Sequence, residues 1–462
     1  MRPSSSSSDP APFGGLLGPL SGAADVDAEL SDTALLQAML DVELALVRAQ
    51  ARAGLVAGDV SRIATDVDAA CRVEAYDIVE LGTDAVPPAN PVPALVRALR
   101  SRVPGEARGY VHNGATSQDV LDTALVLVCR RSLVPLAARL AGVTDALAAL
   151  ADAHRATVLP GRTLAQQALP TTFGLKAAGW LQSVGVATDE LLRAADALPL
   201  QFGGAAGTLA SYGGHGVEVS AALADELHLA EPALPWHTDR RPLVAYACAL
   251  GAACGALGKA ATDVVALAQT EVGEVGFGGG AGGSSTLPHK RNPAEAIRVR
   301  AAVARVPGLV GTLLACMGQP HERAAGQWQA EWEPLRELLH LAGGAAGGTG
   351  DALAALDVDV ERMRANLDLT DGLVLAEAVA SRLADRLGRQ RANELVRRAA
   401  RQVRDTGTPL REVLLADDAV TESLSEADLD AALDPAAYLG AADEFVSRAL
   451  AAHAARGEGP RG

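Results

Sequence analysis

One stretch of the chain combines a flexible backbone with a dense set of polar side chains. Residues 276–293 read GFGGGAGGSSTLPHKRNP, and we call them the glycine–serine loop. Glycine takes almost any φ and lets a backbone approach a ligand closely. Lys290 is one of only three lysines, with Lys176 and Lys259, in a composition biased toward Ala, Gly and Arg. A lysine kept inside a polar loop is a better ligand candidate than an ordinary surface lysine.

The glycine–serine loop suits proton transfer beside an anionic substrate. Ser284, flanked by a cation and loop amides, can ionise and act as a base. Lys290 and Asn292, with helix N-terminal amides near Thr116 and Ser117, would hold the anion. A structural alternative stays open, in which the loop only caps the next helix at Asn292.

Other kinds of site fit the chain poorly. Gly278-x-Gly280-x-x-Gly283 matches a dinucleotide fingerprint as a string, but a helix precedes it and no βαβ unit surrounds it. Lys290 is followed by Arg291, so the loop is no P-loop. The nine histidines show no metal-ligand spacing, and we expect neither a metal nor a cofactor. His112 stands out because it lies in a polar segment.

Two further polar turns precede helices and must help to build any site. Residues 109–119, the His112 loop, open a long helix that Thr116 or Ser117 can cap and that we expect to reach about residue 150. Residues 160–170 form another polar turn, with Thr163 and Gln166, before a helix that ends near residue 198.

The remaining pattern predicts an all-α chain. We expect helices over residues 31–54, 94–102, 242–275 and 294–317, and a smaller helical region from about residue 363 to 452. Leu36, Met39, Leu40 and Val47 recur at helical spacing in the first of these. No stretch alternates convincingly with period two. Helices this long leave apolar faces that a bundle between subunits would bury.

Composition limits the partners. The 462 residues are 49% apolar and only 3% aromatic, and a net charge of −16 disfavours a nucleic-acid partner. No polybasic run suggests a membrane surface. The five scattered cysteines fit reduced thiols in a cytoplasmic protein. The Ser/Pro-rich N-terminus predicts a disordered leader, and we expect a disordered tail as well.

Three motifs together resemble the fumarase/aspartase superfamily. Residues 283–293 (GSSTLPHKRNP) are similar to its signature G-S-S-x-M-P-x-K-x-N-P, with Leu287 in place of Met. Residues 112–123 and 161–166 resemble its first and second conserved regions. The order and spacing agree over about residues 30–445.

The resemblance implies a three-domain subunit and a homotetramer built around a long-helix bundle, with each active site shared by three subunits. The implied division is a leader (1–28), an N-terminal helical domain (29–114), a central bundle domain (115–355), a C-terminal helical domain (356–452) and a tail (453–462).

Within the superfamily, the chain most resembles the 3-carboxy-cis,cis-muconate cycloisomerases, for example over residues 39–43, 201–208, 235–238 and 270–274. That family lactonises 3-carboxy-cis,cis-muconate in protocatechuate (β-ketoadipate) catabolism. The resemblance implies that Ser284 exchanges the proton α to a carboxylate. The side chains implied to bind a di- or tricarboxylate substrate are Thr116, Ser117, Thr163, Gln166, Lys290 and Asn292, with Ser285, His112 and Arg323 as additional contacts.

Leu164 distinguishes among the relatives. Fumarase-like and adenylosuccinate-lyase-like members carry His there, whereas Leu cannot transfer a proton. A carboxylate leaving group, with a pKa of about 4, leaves without a general acid. Leu164 therefore favours a cycloisomerase over an ordinary C–N lyase.

Two alternatives remain open. The first alternative to a cycloisomerase is a C–N or C–X lyase that releases fumarate from a succinyl-type substrate. The second is a non-catalytic tetramer. Asp239, where the cycloisomerases tend to carry an amide, leaves the fine specificity open. Trp328 and Trp332 lie near positions where nucleotide lyases carry polar residues, so a phosphate site is not expected.

Overall fold

The computed structural model describes residues 13–278, 287 and 290–457. Ser284 and Ser285 lie outside the described residues, so their predicted roles are not tested by the structure.

Most of the described chain is helical and little of it is strand, which confirms the predicted all-α class. The α-helices are α1 (Ala24–Glu29), α2 (Asp32–Arg52), α3 (Val60–Ala70), α4 (Ile78–Ala85), α5 (Val92–Arg102), α6 (Ser117–Ala153), α7 (Phe173–Asp196), α8 (Gly216–Leu227), α9 (Arg241–Leu267), α10 (Ala294–Val303), α11 (Val306–Ala315), α12 (Trp332–Ala354), α13 (Val360–Asn366), α14 (Ala376–Leu387), α15 (Arg389–Thr406), α16 (Leu410–Leu415), α17 (Asp418–Thr421), α18 (Glu426–Ala432) and α19 (Ala442–Gly457). The strands are β1 (Val158–Thr163), β2 (Gln166–Thr172), β3 (Val275–Phe277) and β4 (Leu356–Val358).

Helix α2 follows its sequence signals closely. The Ser31 hydroxyl accepts a hydrogen bond from the backbone N–H of Ala34 at 3.0 Å, as expected of an N-cap residue. Gly54 follows the helix with φ of 71°, the left-handed conformation that glycine adopts most readily. The four apolar residues at helical spacing are all buried. The predicted helix over residues 31–54 is therefore confirmed.

Helix α6 begins at Ser117, as the His112 loop predicted, and continues for 37 residues with Pro135 inside it. Both α6 and α9 are long and apolar enough to pass a length-and-composition test for membrane spans. The core helices of soluble proteins pass the same test.

Two predicted helices have different bounds. Helix α9 ends at Leu267 instead of near Val275, and a turn that includes Gly273 at a φ of 62° leads from it to β3. The helix expected over residues 294–317 is divided into α10 and α11. Pro307 lies in the first turn of α11, where its missing N–H costs nothing, and it cannot continue a preceding helix.

Residues 160–170 were predicted as a polar turn, and this prediction is wrong. Strands β1 and β2 form an antiparallel hairpin in which Val158 pairs with Thr172 and Thr163 with Gln166. Its two-residue turn, Leu164–Ala165, has φ values of 51° and 63°. Positive φ at both positions is typical of a tight hairpin turn. We call β1–β2 with this turn the hairpin.

The predicted leader and tail also need correction. In residues 13–28, a 3₁₀ turn (Gly18–Leu20) precedes α1, and Val26 is fully buried. The predicted disorder is therefore wrong for this part of the leader. At the other end, α19 continues to Gly457, past the predicted boundary at residue 452.

The chain divides by its internal contacts into two compact units. Unit 1 comprises Met1–Ala141, Val186–Gly258 and Arg298–Gly348, and unit 2 comprises Gly142–Gly185, Lys259–Ile297 and Thr349–Gly462. One buried core of unit 2 lies among α14–α16 and α18, with Leu383, Leu395 and Leu410. The three-domain division stays a prediction.

Candidate active site

The described candidate residues fall into one group in each unit. Unit 1 carries His112, Thr116, Ser117 and Arg323, and unit 2 carries Thr163, Gln166, Lys290 and Asn292. Each group is described below by itself.

Asp119 organises the His112 loop in unit 1. Its carboxylate accepts four hydrogen bonds of 2.7–2.9 Å, from the backbone N–H groups of Thr116, Gly203 and Gly204 and from Nε2 of His237. Asp119 is only 1% exposed. Because its oxygens are engaged, Asp119 positions the start of α6 and the glycine-rich loop after residue 201. Thr116 and Ser117 are left half-buried at the helix N-terminus.

Gln118 brings Arg323 to this helix start. Its side-chain amide donates to the carbonyl of His237 at 2.7 Å and to Asp122 at 3.1 Å. Its Oε1 accepts from Nε of Arg323 at 3.2 Å, and Nη2 of Arg323 donates to the carbonyl of Ala205 at 3.2 Å. Arg323 is thus held next to the first turn of α6, and its contact with substrate stays a prediction.

His112 is bound twice by one buried carboxylate. Its Nδ1 lies 2.7 Å from Oε1 of Glu43, and its backbone N–H donates to Oε2 at 2.8 Å. Glu43 is fully buried. Burial by itself lowers the pKa of His112, but the charge of Glu43 and their hydrogen bond outweigh it, so the pKa is raised above its usual value. This favours the charged imidazolium.

A buried ionic network lies behind the same helix. Arg240 donates to Asp122 at 2.7 Å and to Glu331 at 2.7 Å, and all three side chains are at least 98% buried. Burial raises the pKa of Glu331, although Arg240 opposes the shift. Nε1 of Trp328 donates to Asp122 at 2.9 Å. Trp328 is thus a core residue.

Asp239, which stands where the cycloisomerases tend to carry an amide, lies at the surface. Its carboxylate pairs with Arg241 at 2.7 Å, and the two side chains are 47% and 75% exposed. The contact with Arg241 is the leading cause of the lowered pKa of Asp239. In unit 1 the adjacent Arg240, instead of Asp239, takes the buried position.

In unit 2 the hairpin presents its candidate residues to solvent. Thr163 and Gln166 pair with each other on either side of the turn, and both are exposed. Leu164 between them is 98% exposed. The hairpin therefore carries two polar groups beside an apolar side chain that has no proton to give.

Glu274 connects the hairpin with β3, the strand at the start of the glycine–serine loop. Arg162 donates to both oxygens of Glu274, at 2.6 and 2.9 Å. Nδ2 of Asn366 donates to Glu274 at 2.8 Å, and Nε2 of Gln167 donates to the carbonyl of Asn366 at 2.9 Å. Glu274 is fully buried and immediately precedes β3. We call Arg162, Glu274 and Asn366 the Glu274 clamp.

The far end of the glycine–serine loop leads into α10. Lys290 is exposed, and its backbone N–H donates to the carbonyl of Leu287 at 3.0 Å. The carbonyl of Asn292, two residues before the helix, accepts from the backbone N–H of Ala294 at 2.8 Å. These contacts leave the capping alternative open.

Within residues 13–278, 287 and 290–457, no group of three or more His, Cys, Asp or Glu side chains is arranged to hold a metal ion.

Sequence reasoning missed four residues that organise these groups: Glu43, His237, Arg240 and Glu274. A signal for Glu43 was present, because it falls on the apolar stripe of α2, four residues after Met39 and seven after Leu36. An acid at such a position must have a buried partner. The other three showed no comparable periodic signal.

Comparison with protein families covers most of the chain. A family described as "Lyase" matches residues 25–308, and one described as "Adenylosuccinate lyase C-terminus" matches residues 372–449.

Individual relatives are similar over nearly their full length. The 3-carboxy-cis,cis-muconate cycloisomerase of Pseudomonas aeruginosa is 48% identical, over 95% of this chain and 96% of that protein. The nitrosuccinate lyase of Streptomyces davaonensis is 47% identical, over 94% of each chain. The crystal structure of the 3-carboxy-cis,cis-muconate lactonizing enzyme from Pseudomonas putida matches with a TM-score of 0.89 at 43% identity, covering 95% of this chain and 99% of that one.

Proposed function

We propose a function from one premise: the chain belongs to the fumarase/aspartase superfamily of lyases. On this premise it is an enzyme that lactonises 3-carboxy-cis,cis-muconate to a carboxymuconolactone, as in protocatechuate (β-ketoadipate) catabolism. The relatives with this activity support the proposal, and the hairpin turn supports it chemically.

The reaction requires one C–O bond and one proton. A substrate carboxylate oxygen adds across a carbon–carbon double bond, and the carbon α to another carboxylate takes up a proton. In our proposal Ser284 delivers that proton, and in the reverse direction removes it. Loop amides and Lys290 stabilise the enediolate that develops between these steps.

The remaining candidates hold the substrate's carboxylates. Thr116 and Ser117 offer hydroxyls at the start of a 37-residue helix, where the helix dipole favours negative charge. His112 and Arg323 add charged donors beside it. Thr163, Gln166, Ser285 and Asn292 complete the proposed set.

Leu164 is the observation that carries the choice of chemistry. It lies at the tip of the hairpin between Thr163 and Gln166, where a general acid would be needed for a poor leaving group. A carboxylate leaves unaided, so a leucine suffices for lactone formation and its reversal.

The proposed enzyme is a cytoplasmic homotetramer whose active sites are shared by three subunits, and it needs no cofactor. Apolar faces on long helices support assembly. The buried charges of Asp119 and Asp122 on α6 support a water-soluble core helix over a membrane span.

One second function is favoured by a specific observation. Nitrosuccinate lyase is nearly as similar to this chain as the cycloisomerase from Pseudomonas aeruginosa. Nitrite, like a carboxylate, is the weakly basic anion of an acid and leaves without a general acid. Leu164 therefore disfavours amine leaving groups but does not disfavour nitrite. The rival reaction breaks a C–N bond, removes a proton from the adjacent carbon and yields fumarate and nitrite.

The deciding experiment offers the purified chain three substrates separately. We would follow 3-carboxymuconate by its ultraviolet absorbance, nitrosuccinate by nitrite and fumarate release, and adenylosuccinate by fumarate release. We expect rapid loss of 3-carboxymuconate and no turnover of adenylosuccinate. Preferential nitrite release would establish the rival, and no turnover of any substrate would contradict both.

A further inference from the structure

His112 adopts a backbone conformation that an isolated histidine would avoid. Its φ is 54°, in the left-handed region, which costs a non-glycine residue about 1 kcal/mol or more. Such a conformation persists only where its surroundings impose it. Here the backbone N–H and the ring Nδ1 of His112 both bond to the carboxylate of Glu43.

The contact fixes the direction of the hydrogen bonds. A carboxylate only accepts, so Nδ1 of His112 must carry a proton and donate it to Glu43. Within the described part of the chain, Nε2 of His112 has no hydrogen-bonding partner. The His112 side chain is 17% exposed, so Nε2 is the ring nitrogen left for a ligand, and it donates when the ring is charged.

Charge balance at Glu43 points the same way. Glu43 is fully buried on α2, where an unpaired carboxylate would be costly. Among the described residues, both hydrogen bonds to its side chain come from His112. A charged imidazolium is the partner that compensates this carboxylate, while a neutral ring would leave the charge largely uncompensated.

The other charged groups around His112 do not reverse this balance. Asp119 on α6 also favours the charged ring, and Arg100 on α5 opposes it. Arg100 is engaged with the carbonyl of Val111 at 2.8 Å. Burial raises the pKa of the nearby Tyr212, so its hydroxyl stays neutral.

We infer that Glu43 is a positioning residue that holds His112 charged and aims its Nε2–H at a substrate carboxylate. Glu43 itself does not touch substrate. The part concerning substrate rests on the proposed function, whereas the charge and orientation of His112 do not. The charge is present below the raised pKa of His112 and is lost as pH rises through it.

The first experiment needs no substrate. Histidine ring carbons would be followed by NMR across pH, with His112→Gln used for assignment. Burial lowers the pKa of His154, so this residue is an internal reference whose pKa is shifted in the opposite direction. We expect His112 to lose its proton at a higher pH than His154 and above the usual histidine range. Titration at or below that range would overturn the inference, even if lactonisation is observed.

The second experiment removes the charge of Glu43. In Glu43→Gln we expect the His112 titration to move to lower pH, and the alkaline limb of kcat/KM for 3-carboxymuconate to move with it. We expect KM to rise about tenfold, the effect of losing one charge-assisted hydrogen bond, while kcat changes much less. Asp41→Asn, on the same helix but paired with Arg131, is the matched control and should leave both pH profiles unchanged.

Glu43→Asp separates charge from packing. It keeps the carboxylate, so it should retain the raised pKa of His112 more fully than Glu43→Gln. If Glu43→Gln does not fold, the wild-type titration and Glu43→Asp still decide the question. Equal titration of His112 in wild type and Glu43→Gln, or an unchanged alkaline limb, would refute the role of Glu43.

Discussion

The candidate residues of the two units are supported in opposite ways. In unit 1 they are held by buried charges: His112 by Glu43, Thr116 by Asp119 and, behind them, Asp122 by Arg240. In unit 2, Thr163, Gln166 and Lys290 are exposed, and the buried Glu274 clamp supports only the segments that carry them. The described candidates of unit 1 are thus held by buried partners, whereas those of unit 2 are open to solvent.

Replacement of Ser284 tests the proposed proton transfer most strongly. If Ser284 transfers the proton, Ser284→Ala should lower kcat about 10³-fold, within the range typical of general acid–base catalysis. Size-exclusion chromatography should show an unchanged assembly. Ser101→Ala, an exposed serine on α5, is the control. Near-normal turnover of Ser284→Ala would remove the serine from the mechanism.

A matched pair of arginine variants compares the buried ionic contacts of the two units. Arg240→Met removes the charged partner of two buried carboxylates, which keep only neutral donors such as Trp328, and should lower the free energy of unfolding by about 4 kcal/mol. Arg162→Met leaves only Glu274, which keeps Asn366 as a donor, and should cost about 2 kcal/mol.

Urea unfolding and steady-state kinetics would measure both arginine variants. We expect Arg162→Met to lose more kcat per kcal/mol of lost stability, because Arg162 connects the hairpin to β3. If the two variants lose activity only in proportion to stability, the assigned difference between the units is wrong.

A milder test of the unit 1 network is Trp328→Phe. It keeps an aromatic ring but removes the hydrogen bond to Asp122, so we expect a loss of about 1 kcal/mol in the free energy of unfolding. Substrate KM should hardly change. Trp236→Phe is the comparison: it keeps an aromatic ring beside Arg240 and removes a hydrogen bond to a backbone carbonyl, that of Leu200, instead of one to a buried carboxylate.

The smallest effect is expected at the hairpin tip. Leu164→His should change lactonisation by less than about threefold, because a carboxylate leaving group needs no general acid. Stability should also be retained, since this exposed position makes few contacts. A large gain in lactonisation would contradict the leaving-group argument.

The sequence predicted helices well where local chemistry determines their ends. Ser31 and Gly54 bound α2, and Ser117 begins α6, because caps act within a few residues. The hairpin was missed for a local reason. Pro160, Gly161 and Pro170 are typical of turns, and Leu164–Ala165 lacks the Asn-Gly pair expected of such a hairpin.

Candidate residues were predictable where they lie in recognisable motifs. The buried residues that hold them in place were not predictable in this way. Glu274 meets Arg162 across 112 residues and Asn366 across 92, so no local pattern connects them. Glu43 was recoverable in principle, as an acid on an apolar helix face. Its partner, 69 residues away, emerges only from the folded chain.

The left-handed backbone at Leu164 has an evolutionary consequence. Histidine is enriched in this conformation relative to most residues, whereas leucine is not. A side chain that projects freely from a tight turn is also exchanged without repacking a core. The hairpin can therefore gain or lose a proton donor by a single substitution, and a lineage with this scaffold can move between leaving groups while its fold stays the same.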